Sequence, residues 1–207
     1  MTKTKIDWCD YTWNPVWGCN NNCPYCYARK LAKRFGDPTF LPTWKQKNFD
    51  KPFPKKPSRI FVNSMSDMRW WATRWMNDVI NKIADHPWHT FLFLTKYPAI
   101  YSEYSFPHNC WLGTTITQQN EFIFDGACNQ NLTFFSFEPL LEHIIITPSI
   151  DWAIIGAETG NRQDKIIPKR SWVLSLINDC RRQHIPVFLK DSLREIWGEK
   201  LIQEFPQ

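Results

Sequence analysis

Cys19, Cys23 and Cys26 fall within one short stretch, Gly18-Cys19-Asn20-Asn21-Asn22-Cys23-Pro24-Tyr25-Cys26-Tyr27. Three thiolates on one loop can hold three irons of a cubic [4Fe–4S] cluster and leave the fourth iron without a protein ligand. An open metal position is what a reactive centre needs and what a closed structural site lacks. The competing chemistry is a zinc knuckle, which requires a fourth ligand. No His lies nearby, and the nearest further thiol is Cys9.

The remaining cysteines, Cys9, Cys110, Cys128 and Cys180, are scattered without ligand spacing. They read as reduced thiols that pack like small hydrophobes, not as a disulfide framework. No apolar run of about 18 residues and no signal-peptide pattern is present, so a cytoplasmic protein with no membrane partner is expected. The 207 residues are expected to form a single domain spanning 1–207, with a cluster loop at 18–27 and a Pro/Lys-rich loop at 37–58.

Elements that could position the cysteines follow from periodicity. Tyr27 to Phe35 reads as a helix closed by Gly36, with Pro38 beyond. Apolar runs at 59–63, 90–94, 111–115, 133–137, 152–156 and 186–189 read as buried parallel strands. Helical spacing marks 73–85 and 171–183, the second with Ser171 as N-cap, while the spacers at 117–131 and 139–149 make poorer helices. Each strand ends in polar or small residues: Asn63-Ser64-Met65-Ser66-Asp67, Thr95-Lys96, Thr114-Thr115, Ser136-Phe137-Glu138, Glu158-Thr159-Gly160 and Lys190-Asp191. In a parallel α/β sheet those ends form one rim, where ligands bind. Lys96, Glu138, Glu158, Lys190 and Asp191 are the rim's candidate acids and bases. A structural ion pair is the plain alternative for each.

With the cysteine spacing and these strand ends, the chain resembles the radical S-adenosylmethionine (SAM) superfamily. More narrowly it resembles the small phage- and prophage-associated three-Cys-motif family. The resemblance is carried by Ile6-Asp7-Trp8-Cys9-Asp10-Tyr11-Thr12-Trp13-Asn14-Pro15, by Arg59 to Asp67, by His89 to Lys96, by Ser136 to Leu141 and by Ile150 to Glu158. It implies an α/β fold, a partial (β/α) barrel of the radical SAM type, whose first strand would lie near Thr12 to Val16. It implies two cofactors, a [4Fe–4S] cluster on Cys19, Cys23 and Cys26 and a SAM molecule chelated to the open iron. Tyr25 would sit beside the adenine. Asn63, Ser64, Ser66 and Asp67 replace the superfamily's Gly-Gly-Glu motif as the receptor for SAM's amino group. Thr114 and Thr115 would meet the ribose, and Gly156 belongs to the strand that packs on adenine. The reaction implied is one-electron cleavage of SAM, fed by an external reductant, to a 5′-deoxyadenosyl radical that takes hydrogen from a substrate.

For the substrate there is one further signal. The net charge is +5, and residues 29–59 hold ten Lys and Arg against Asp37 and Asp50, interleaved with Trp44, Phe49 and Phe53. Such a segment suits a nucleic acid or nucleotide, drawn to the mouth by charge and stacked on Trp44 or on Trp70, Trp71 and Trp75. It equally suits a solvated, Pro-stiffened surface loop. A non-catalytic iron–sulfur protein that binds nucleic acid is the second functional reading, but it leaves the open iron and the polar rim without use.

Overall fold

In the computed structural model of the protein, which describes residues 2–119, 130–146 and 150–207, the apolar runs form strands of one curled sheet. Strand β1 (Thr2–Lys3) lies antiparallel to β2 (Tyr11–Thr12). A separate antiparallel pair joins β3 (Val16–Trp17) to β4 (Thr43–Trp44). Beyond β2 the main sheet continues through β5 (Arg59–Phe61), β6 (Thr90–Thr95), β7 (Cys110–Thr115), β8 (Leu132–Phe137), β9 (Trp152–Ile155) and β10 (Val187–Leu189). From β2 to β10 every neighbour is parallel, so seven parallel strands make a half-barrel.

Helices are α1 (Tyr27–Arg34), α2 (Gln46–Phe49), α3 (Thr73–Ala84), α4 (Arg170–Arg182) and α5 (Arg194–Trp197). Strand pleating sends alternate residues to opposite faces, and the core divides accordingly. Outward residues Ile60, Phe91 and Phe93 pack with Met76, Val79 and Ile83, one face of α3. Outward Phe135, Ala153, Ile155, Val187 and Leu189 pack with Val173, Leu176, Ile177 and Cys180 of α4. The concave side is filled low down by Phe61, Leu92, Phe134, Ile154 and Phe188, plugged by Trp8 and Trp152. Among the described residues no helix is long and apolar enough to cross a membrane.

Three expectations shift. The first parallel strand is Tyr11–Thr12 rather than a run from Thr12 to Val16, because Pro15 has no N–H to donate to a ladder. Helix α4 begins at Arg170, and its N-cap Lys169 makes no side-chain cap bond, so Ser171 lies inside the first turn. Residues 37–58 are not a bare loop, since they contain β4 and α2. Nor do Lys51, Lys55 and Lys56 border the rim. Phe53 packs edge-on to His86 and Phe91, with centroids 4.7 and 5.1 Å away, which holds Lys51 to Lys56 at the opposite, N-terminal end of the strands. Cys9, Cys110 and Cys180 are buried free thiols, as expected; Cys128 lies outside the described residues.

Candidate active site

The alternation that fills the floor also equips the rim. One or two inward steps beyond the apolar floor come Asn63, Lys96, Thr115, Glu138, Glu158 and Lys190, and all six line a cavity of about 350 Å³. Thr114, one residue out of phase, is buried and does not line it. Gly156 contributes space: a Cβ there would stand 3.0 Å from Lys190 Cδ and 3.2 Å from Glu138 Cδ. Asp191 is excluded from the cavity and pairs with Arg194 at 2.5 Å on the surface.

Cys19, Cys23 and Cys26 all face the same cavity. Their loop is delivered by the β3–β4 pair, which brings Val16 opposite Trp44 and Trp17 opposite Thr43. Gly18 follows with φ +104°, and a Cβ there would lie 2.1 Å from Leu41 O, so only glycine fits. Gly18 N–H donates to Met65 O at 3.0 Å, and Cys19 N–H to Phe40 O at 2.9 Å. Cys26 is the N-cap of α1, its sulfur accepting from Arg29 N–H at 3.3 Å; Cys19 Sγ accepts from Asn21 N–H at 3.4 Å. At its far end α1 stops at Gly36, where Gly36 N–H meets Lys33 O and Asp37 N–H meets Ala32 O, a Schellman closure. Burial pushes the Cys19 thiol up to about 12. It also raises Cys23, where the Lys96 charge opposes the rise.

The turn from Asn63 to Asp67 lines the cavity beside the cysteine loop. Asp67 is 6% exposed and accepts four bonds. Oδ1 takes Thr95 Oγ1–H at 2.7 Å and Arg69 N–H at 3.1 Å; Oδ2 takes Asn21 Nδ2–H at 2.9 Å and Lys96 N–H at 3.1 Å. Asn21, inside the cysteine loop, also accepts from Trp70 Nε1–H at 2.5 Å. Asn14 Oδ1 accepts from Met65 N–H and Ser64 Oγ, Tyr27 OH donates to Ser64 O, and Trp71 Nε1–H donates to Ser66 Oγ. Sequence reasoning did not single out Asn14, Asn21 or Tyr27. It offered Trp70 and Trp71 as part of a base-stacking patch, whereas Trp71 is buried in the core and both indole N–H groups brace this turn. Trp75 stacks on Trp44, ring centroids 6.2 Å apart.

Charged groups on the wall are paired. Lys190 Nζ donates to Glu138 Oε1. Glu158 holds Arg162 through two bonds of 2.8 Å, and that guanidinium keeps the carboxyl below its usual range. Arg162 lies four residues beyond Glu158, a spacing visible in the sequence but unused there. Lys96 Nζ sits 5.6 Å from the Tyr25 ring centre.

The donors fit an iron–sulfur centre. They are three soft thiols on one loop, two already receiving backbone N–H, beside a cation that offsets thiolate charge. Among the described residues no three His, Cys, Asp or Glu side chains converge on a single-ion site. The cavity has the volume of one cofactor-sized molecule, and the buried Trp8 Nε1, on its wall, has no protein partner among the described residues.

No curated protein matches this sequence. Among solved structures, the chain resembles a spore photoproduct lyase variant with AdoMet and a dinucleoside spore photoproduct bound. The TM-score is 0.54 at 12% identity, over 93% of this chain and 77% of that one. A second spore photoproduct lyase variant covers 95% and 78% at TM-score 0.47 and 12% identity. At that identity the first likeness speaks for fold, and the fold is the partial β/α barrel of the radical SAM type. Residues 3–204 match the family described as "Protein of unknown function (DUF5131)", and by that near end-to-end match the chain belongs to the DUF5131 family.

Proposed function

We propose that this protein is a radical SAM enzyme. The observation that carries the reading is that three thiols of one loop open onto a cavity walled by the inward rim residues of a half-barrel. Cys19, Cys23 and Cys26 would hold a [4Fe–4S] cluster, and SAM would lie between that loop and the strand ends. Together, when bound and supplied with an electron by an external reductant, they provide hydrogen-abstracting radical chemistry. The chain's own residues bind, orient and exclude water. Ser66 Oγ, accepting one bond from Trp71, keeps a lone pair for SAM's ammonium. Asp67 adds negative charge and holds the turn, while Thr115 replaces Thr114 as the ribose-facing hydroxyl. Tyr25 supplies the aromatic wall. Glu138 and Lys190, a pair facing the cavity, can hold or pass a proton at a substrate heteroatom without a lone buried charge. Glu158, fastened to Arg162, keeps the wall in place.

The test is anaerobic reconstitution. About four irons per chain and reductant-dependent release of 5′-deoxyadenosine from SAM are expected. Changing Cys9, Cys110, Cys128 and Cys180 together to Ala should leave the iron in place, and Cys26→Ala should lose it. Iron retained by Cys26→Ala, or lost from the folded quadruple variant, overturns the assignment.

A further inference from the structure

A second depression of about 460 Å³ adjoins the first and shares Tyr27 and Thr159 with it. Its wall is one face of α1, where Tyr27, Lys30, Leu31 and Arg34 recur at helical spacing, opposite the loop Thr159-Gly160-Asn161. Lys30 and Arg34 are exposed, and neither side chain has a hydrogen bond or ion pair among the described residues. Lys165 donates to Gly160 O behind that loop at 3.4 Å and adds to the same field. The nearest carboxylate, Glu158, is buried and already neutralised by Arg162, and Asp164 also faces Arg162.

We propose that this groove binds the sugar–phosphate backbone of a single-stranded nucleic acid whose base reaches the mouth of the rim cavity. The proposal rests on the radical SAM reading and names its substrate class. Four observations converge. The rim cavity has room for one cofactor-sized molecule, so the bulk of any substrate must lie outside it. This basic depression shares wall residues with it, so a chain lying along it leads directly to the cavity. Tyr27, 50% exposed, stands on the boundary with its hydroxyl tied to Ser64 O. A ring held at its polar end offers its face to a base, a contact that tolerates any base. Finally, Lys30 and Arg34 are one turn apart, about 5–6 Å between Cβ atoms, so they can meet successive phosphates along an extended strand. A duplex keeps its bases stacked inside, and a mononucleotide would use only one of the two cations.

The experiment compares wild type, a Lys30→Gln/Arg34→Gln variant and a Lys55→Gln/Lys56→Gln variant. The last removes the same charge from the opposite end of the strands. Binding of a short fluorescein-labelled oligothymidylate to the reconstituted protein is followed by anisotropy across a salt series. Expected is a loss of about tenfold in affinity for the groove variant, with its log K against log salt slope reduced by about 1.4, the share of two phosphate contacts on a single strand. The Lys55/Lys56 variant should track wild type, and thymidine monophosphate should compete poorly. Equal weakening by both variants, an unchanged slope, or full competition by the mononucleotide overturns the proposal. Iron content and SAM cleavage are measured on the same preparations. Groove-dependent binding without iron would overturn the enzyme reading and keep the groove. Iron and SAM cleavage without groove-dependent binding would do the reverse.

Discussion

Asp67 illustrates how one side chain can matter to a cysteine loop from outside it. Its carboxylate gathers donors from the cysteine loop, from β6 and its following residue, and from its own turn. Those are the pieces that must keep register if three sulfurs are to match three irons. Removing the acceptor leaves four donors to find water or remain unpaired, at about 1–3 kcal/mol for each that stays buried. Asp67→Ala should therefore destabilise the protein by at least about 3 kcal/mol in urea unfolding, and should lower the iron retained after gel filtration. Stability within about 0.5 kcal/mol of wild type would show that the brace is dispensable. Asn21 is the loop's side of the same contact, and its importance was hidden in the run Asn20-Asn21-Asn22, where nothing local distinguishes the middle residue. Cysteine spacing is local and was legible. The partner of Asn21 lies 46 residues away, and only the fold brings it near.

At the scale of elements, the parallel strands were readable because continuous apolar runs have one cheap explanation, burial on both faces. Two-residue strands have no period, so β2, β3 and β4 were invisible, and the Lys/Pro segment that contains β4 was misread as a loop at the mouth. The alternation within β7 separates Thr115 from Thr114, yet its phase depends on which neighbours form the floor. Gly113 marks that phase. It points at Phe134, and a Cβ there would stand 2.2 Å from the ring's Cζ. Gly113→Ala must displace a fully buried ring in the floor, so a loss of about 2–3 kcal/mol is expected in denaturant unfolding. Gly156→Ala meets only the Lys190 and Glu138 side chains at 3.0 and 3.2 Å, which can swing into the cavity. It should leave stability within about 1 kcal/mol of wild type and weaken SAM binding instead. If the two variants behave alike, the division into floor and rim is wrong.

Among the described residues, three carboxylates are held below their usual range in three different places. Arg162 does this for Glu158 at the rim, Arg181 for Glu204 near the C-terminus, and the Phe40 N–H and Thr39 hydroxyl for Asp37 after α1. An acid whose pKa is depressed on folding contributes stability that is complete above its unfolded value of about 4 and fades as pH falls through the folded value. The urea midpoint should therefore hold from neutrality to about pH 5 and fall below it. A Glu158→Gln/Glu204→Gln variant should start lower and fall less; parallel curves for the two proteins would dismiss these pairs as acid sensors. The neck made by β3 and β4 bears on a longer timescale. It ties off residues 18–42 with backbone bonds alone, so the cysteines keep their address through protein contacts that need no iron. Zinc fingers, by contrast, unfold when stripped of metal. If the proposed cluster is bound there, damage by oxygen would cost this protein its cofactor and not its shape, and the chain's working life would be set by how often the centre can be rebuilt.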